Sequence, residues 1–210
     1  MSKELDDLIT TLQNINPVPT MDRKYLSVAA ENKDSEQLLR SILRDIPKDK
    51  YKNLVSILLN NIGLETYLGR PGDVNLRMDA IGITDKNCAV IAIPNESSLD
   101  SARDILDWAA VVCSRYKTEL KDIHGIIVLK EIPNMRTELW EVLQDIKNVL
   151  DFSITVIPFY ALLRIWIAGR KLNLHLFDPV APTELRLTLE KIIETKVHLD
   201  NPSSLIEAPK

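Results

Sequence analysis

Apolar residues recur along this chain in two rhythms, one helical and one of short unbroken runs. Leu5, Leu8, Ile9, Leu12 and Ile15 fall at helical spacing and predict a helix over residues 3–14 that stops ahead of Pro17 and Pro19. Residues 17–33 read as a loop. Leu38, Leu39, Ile42 and Leu43 predict a second helix, capped by Asp34 or Ser35 and ended by Pro47. Tyr51, Leu54, Val55, Leu58 and Ile62 predict a third over residues 48–61, closed by Gly63. After a short strand come two β-branched runs, residues 78–84 and 88–94, with the turn residues Asp85, Lys86 and Asn87 between them. The pair predicts a hairpin.

The second half alternates. Ile105, Leu106, Trp108, Ala109, Val112 and Cys113 predict a helix over residues 100–116, with Ser98 or Asp100 as its cap. The unbroken run 125–129 predicts a buried strand. Leu139, Trp140, Leu143, Ile146 and Val149 then predict a helix over 137–150, followed by a buried strand over 153–157 and a helix over 159–168. Leu185, Leu189, Ile192 and Ile193 mark a last helix over 182–196. Strands separated by helices predict an α/β fold with a mixed central sheet flanked by helices. The expected division is a helical extension over 1–47, the α/β domain over 48–200 and a polar tail over 201–210. The three early helices are expected to cover the sheet, because the connection at Lys48 is too short for a linker.

Composition narrows the function. The 210 residues carry a formal charge of −4, so DNA binding requires a local basic patch. The available cations are Arg23, Lys24, Arg70, Arg77, Arg115, Lys117 and Lys121. Cys88 and Cys113 lie on apolar stretches and read as reduced thiols of a cytoplasmic protein. His124, His175 and His198 lack metal-ligand spacing. The acidic, amphipathic N-terminal residues do not resemble a signal peptide, and Arg164 and Arg170 interrupt the longest apolar runs, which predicts no membrane span. The GRPGD stretch, residues 69–73, lacks the Lys-Ser/Thr ending of a phosphate-cradling loop. Trp108, Trp140 and Trp166 sit on apolar helix faces and read as core residues rather than base-stacking platforms.

The order helix, Gly63, short strand, GRPGD and then a strand opening with Met78-Asp79-Ala80 resembles the PD-(D/E)XK nuclease superfamily, the fold of many type II restriction endonucleases. The resemblance covers about residues 50–168 and implies a restriction-endonuclease-like sheet. In that family an Asp opens one strand and a Glu-x-Lys tripeptide ends its neighbour. Two carboxylates on adjacent strands hold a hard divalent cation against the scissile phosphate, and the lysine positions the attacking water. Asp79 matches the first acid; Ala92 and Pro94 stand where the Glu and Lys belong. Many members also carry a glutamate near the start of the preceding helix, where Asp49 is the only acid among residues 49–53.

The resemblance therefore implies a DNA-binding protein with a degenerate nuclease site. A first alternative is an active Mg²⁺-dependent endonuclease in which Asp79 and Glu96 are catalytic residues and metal ligands. A second is a protein-interaction module with no nucleic-acid role. Double-stranded DNA is the expected partner, met by Arg70, Arg77 and Lys86, and a homodimer or a partner subunit is expected as well. Without the resemblance, Asp79 reads as a turn or capping residue.

Overall fold

The computed structural model describes residues 44–69, 78–83, 88–94, 99–130, 133 and 137–172, with 3, 4, 7, 10, 28–31, 41 and 42, and with Lys48 and Asp49 through their backbone alone. The expected helices over 3–14 and 182–196, the hairpin turn and the polar tail fall largely or wholly outside these residues. Helix α1 spans Lys48–Asn61, the range its periodicity predicts. Pro47 fixes its start, and the Pro47 carbonyl accepts from the N–H groups of Lys50 and Tyr51 at 3.0 and 3.1 Å. Gly63 ends it at φ +95°, a backbone angle that favours glycine, and the Leu64 N–H bonds back to the Leu59 carbonyl at 2.9 Å. Tyr51, Leu54, Leu58 and Leu59 are fully buried. Each such side chain contributes about 1.5–3 kcal/mol of transfer free energy.

Strands β1 (Glu65–Leu68), β2 (Ala80–Ile83) and β3 (Cys88–Ala92) run antiparallel to one another. Helix α2 (Asp100–Tyr116) then carries the chain to β4 (Ile123–Leu129), and α3 (Glu138–Leu150) carries it to β5 (Ile154–Pro158). Both of these strands pair parallel, β4 with β3 and β5 with β4. The result is a five-stranded mixed sheet in sequential order, flanked by helices. Helix α4 (Phe159–Ile167) follows β5 directly.

Alternation along the strands separates the two faces. Gly82 pairs with Ala89, and Val90 with Gly125, so the two glycines turn to opposite sides. At Gly125 a Cβ would lie 2.7 Å from Ile105 of α2; at Gly82 it would lie 3.1 Å from Leu64, just beyond α1. Helix α4 packs beside α1 and over β5, and the Tyr51 and Phe159 rings stand 5.5 Å apart. Every residue of β3 and β5 is buried, as expected of strands covered on both faces. The outward edge of β1 is closed by Asn60, whose side-chain amide accepts from Thr66 N–H and donates to the Thr66 carbonyl, each at 3.1 Å.

Several expectations change. Residues 28–31 are helical rather than loop, because Ala29 is fully buried in the common core and tertiary packing overrides a weak local pattern. Ile42 and Ile46 join that same core. Helix α2 is preceded by Leu99 and has no side-chain cap, so Asp100 opens the helix rather than capping it and Ser98 lies outside the described residues. β4 begins at Ile123, two residues before its apolar run, since His124 is accommodated by a 2.6 Å bond between its Nε2 and Thr155 Oγ1. Among the described residues no helix is long and apolar enough to cross a membrane.

Candidate functional site

The sheet brings Asp79 to the carboxyl end of the parallel strands. The β2–β3 register pairs Ala80 with Ile91, so one step further along the ladder Asp79 stands opposite Ala92. Asp79 is itself a bend rather than a strand residue. Its carbonyl still accepts from Gly69 N–H at 2.8 Å, which holds the bend against the end of β1. Gly69, the first glycine of GRPGD, is required there: a Cβ would lie 2.1 Å from the Met78 carbonyl oxygen.

Both carboxylate oxygens of Asp79 are engaged. Oδ2 accepts from the Ile93 backbone N–H at 2.7 Å. That amide lies just past the last β2–β3 pair, so the side chain supplies the acceptor that the ladder no longer provides. Oδ1 accepts from the Lys52 ammonium of α1. The Asp79 side chain is 20% exposed and that of Lys52 47%, so the pair sits at the rim of the sheet with one end in water.

Lys52 belongs to a polar row, Lys48, Lys52, Ser56 and Asn60, spaced four residues apart on α1. Such spacing lines one helix face. Ser56 and Asn60 bond to Thr66 on β1, and Lys52 reaches on to Asp79. Lys52 is not among the residues that the sequence pattern singles out; the i, i+4 polar row hints at a shared face without naming its partner. The Asp49 side chain lies outside the described residues.

The surroundings are mixed in charge. Asp104, on the second turn of α2, has its carboxyl pushed above the ordinary range by partial burial first and then by the negative charges of Asp79, Asp100 and Asp107. Asp100 is met by Arg103 at 3.8 Å. Lys130 follows β4 at the same end of the sheet, its Nζ 5.1 Å from the centre of the Tyr51 ring. Arg115, Lys117 and Lys121 are elsewhere. They lie at and beyond the far end of α2, and Arg115 is roughly 16 Å from Asp104 along the helix axis, taking 1.5 Å per residue. Lys121 pairs with Glu119 at 2.6 Å. The structure does not bring these three cations to Asp79.

Other sequence candidates resolve into packing. Cys88 and Cys113 are free thiols. Burial, with a smaller contribution from Cys113, pushes the Cys88 thiol up to about 12, so it is no nucleophile at neutral pH. Trp108 and Trp140 are buried, and Trp166 packs against the core. Glu96, Arg70, Arg77, Lys86, Arg23, Lys24, His175 and His198 lie outside the described residues.

A divalent cation fits these residues poorly. A hard cation such as Mg²⁺ keeps several waters and is usually anchored by one or two carboxylates. Each Asp79 oxygen already accepts from a donor, the Ala92 methyl and the Pro94 ring offer no ligand, and the nearest charge is a lysine. Among the described residues no group of three or more His, Cys, Asp or Glu is placed to hold a metal ion. No protein-family model matches the chain, and no curated protein is significantly similar to it.

Proposed function

We propose that the protein is a restriction-endonuclease-like domain that binds double-stranded DNA and does not cut it. The observation that carries this reading is the position of Asp79 at the carboxyl end of β3, across from Ala92 and tied to Lys52 and Ile93 N–H. The element order α1-β1-β2-β3-α2-β4, three antiparallel strands and then a parallel one, supports it together with the GRPGD and Met78-Asp79-Ala80 phrases. Cleavage by this architecture needs a second acid and a lysine on β3; Ala92 and Pro94 supply neither group. Without a divalent cation between two carboxylates, nothing among the described residues at the site activates water. Binding needs less. The Lys52 ammonium at the rim neutralises phosphate whatever the base sequence, and Arg70, Arg77 and Lys86, outside the described residues, are the further cations that the sequence offers. Two copies, or one copy and a partner subunit, would grip the two strands of a duplex symmetrically.

One observation favours a second reading. The outer surface of α2 beside Asp79 carries Asp100, Asp104 and Asp107, a charge that repels phosphate and suits a basic protein partner. The alternative of an active Mg²⁺ enzyme requires Asp79 to release Lys52 and Glu96 to join it. Fluorescence anisotropy of labelled mixed-sequence duplexes in chelator tests the proposal. Binding that weakens steeply with salt is the expected result. Absence of binding at 50 mM salt refutes it and favours the protein-interaction module.

A further inference from the structure

We infer that the Lys52 ammonium is the resident cation of this site, standing at the Asp79 carboxylate in place of a divalent metal and offering a remaining N–H donor to a phosphate oxygen. The inference deepens the DNA-binding proposal by naming the group that meets the phosphate, and it rests on that proposal for its ligand. The exclusion of metal rests on the pair alone.

Geometry supports it on both sides of the pair. Lys52 bonds to Asp79, whereas Ser56 and Asn60, one and two turns further on, close the β1 edge instead. Asp79 is fixed from behind by Ile93 N–H at 2.7 Å, so its other oxygen is aimed and cannot turn to gather ligands for an incoming ion. A divalent cation approaching that oxygen must first expel a positive charge, would then share Asp79 with the Ile93 amide, and would find no ligand on Ala92 or Pro94. An ammonium needs far less: it has three donors, of which Asp79 takes one. The Lys52 side chain is 47% exposed, so water or an anion can approach it. A lysine binds phosphate as a point charge and is not held to a planar fork. Asp104 on α2 feels the charges of Asp79, Asp100 and Asp107, and this acidic group disfavours phosphate on the α2 side.

The test uses the full chain in two measurements. Mn²⁺ binding is followed by calorimetric titration of the wild type and of Asp79→Asn. The expected isotherms coincide, with no site filled at 1 mM; an Mn²⁺ site present in the wild type and absent from Asp79→Asn overturns the inference. Duplex binding in chelator is then compared for the wild type, Lys52→Gln and Lys52→Arg. Lys52→Gln is expected to weaken binding about three- to tenfold and to lower the salt slope by about one, as loss of one phosphate contact does, while Lys52→Arg retains both. Unchanged affinity and slope in Lys52→Gln, with native circular dichroism, overturn the phosphate contact. A wild type that binds no duplex refutes the DNA-binding proposal and the phosphate contact with it, whereas the Mn²⁺ comparison still decides whether Asp79 holds a metal.

Discussion

Replacing Asp79 by alanine separates a strand-capping carboxylate from a spare metal ligand. The substitution leaves the Ile93 amide without its acceptor in a position where Ile93 is fully buried. A hydrogen bond to a charged group is worth about 1.5–3 kcal/mol, and an orphaned buried donor costs a similar amount. The ion pair with Lys52 adds little, because that lysine is half exposed and water screens the pair; about 0.5 kcal/mol is reasonable. Asp79→Ala is therefore expected to destabilise by about 2–3 kcal/mol, a large share of the 5–15 kcal/mol typical of a domain. Asp79→Asn keeps a carbonyl oxygen for Ile93 N–H and should cost about 1 kcal/mol. Lys52→Met, which removes only the exposed partner, should cost about 0.5 kcal/mol. Urea unfolding followed by tryptophan fluorescence measures all three, with the slope checked for constancy. A loss under about 0.5 kcal/mol in Asp79→Ala, or equal losses in the Ala and Asn variants, would refute the capping role.

Two further substitutions probe the neighbourhood. Gly69→Ala forces a methyl against the Met78 carbonyl, a backbone atom that cannot swing aside, and should cost about 2–3 kcal/mol in the same unfolding assay; a neutral result would mean that β1 and the Asp79 bend are not in close contact. Asp104 tests the acidic surface. Its raised folded-state pKa means that the folded protein holds this proton more tightly than the unfolded chain, so stability falls as pH rises through the ordinary Asp range and just above it. Asp104→Asn should flatten that fall and add about 0.2–0.5 kcal/mol at pH 7, the size of a relieved like-charge pair on a helix. The like-charge part of the gain should shrink in 1 M salt while the part due to burial persists, and a gain wholly unchanged by salt would refute the like-charge contribution.

The elements of this fold are legible in the sequence where one physical requirement dominates. The period of Tyr51, Leu54, Leu58 and Ile62 marks α1 because a buried helix face must be apolar at that spacing, and the range 48–61 coincides with the helix found. The unbroken runs of β4 and β5 mark strands covered on both sides. Boundaries are less legible, because they depend on bonds made across the sheet. His124 belongs to β4 only through Thr155, and β2 begins after Asp79 because that side chain, not its backbone, serves Ile93.

The site is half legible. Asp79 stands out through its sequence context, and Ala92 and Pro94 through what they lack. Lys52 does not, since its role depends on a partner 27 residues away that local spacing cannot reveal. The polar row on α1 hints at it only once the β1 edge is known to run alongside.

The central claim is a nuclease-like site that holds DNA without metal chemistry. Its most direct measurement is an anisotropy titration of a labelled duplex at matched ionic strength, with Mg²⁺ in one series and chelator in the other, each sample then run on a denaturing gel. The account predicts overlapping binding curves and an intact duplex in both series. Tighter binding in Mg²⁺, or fragments that appear with Mg²⁺ and vanish in Asp79→Ala, would contradict it.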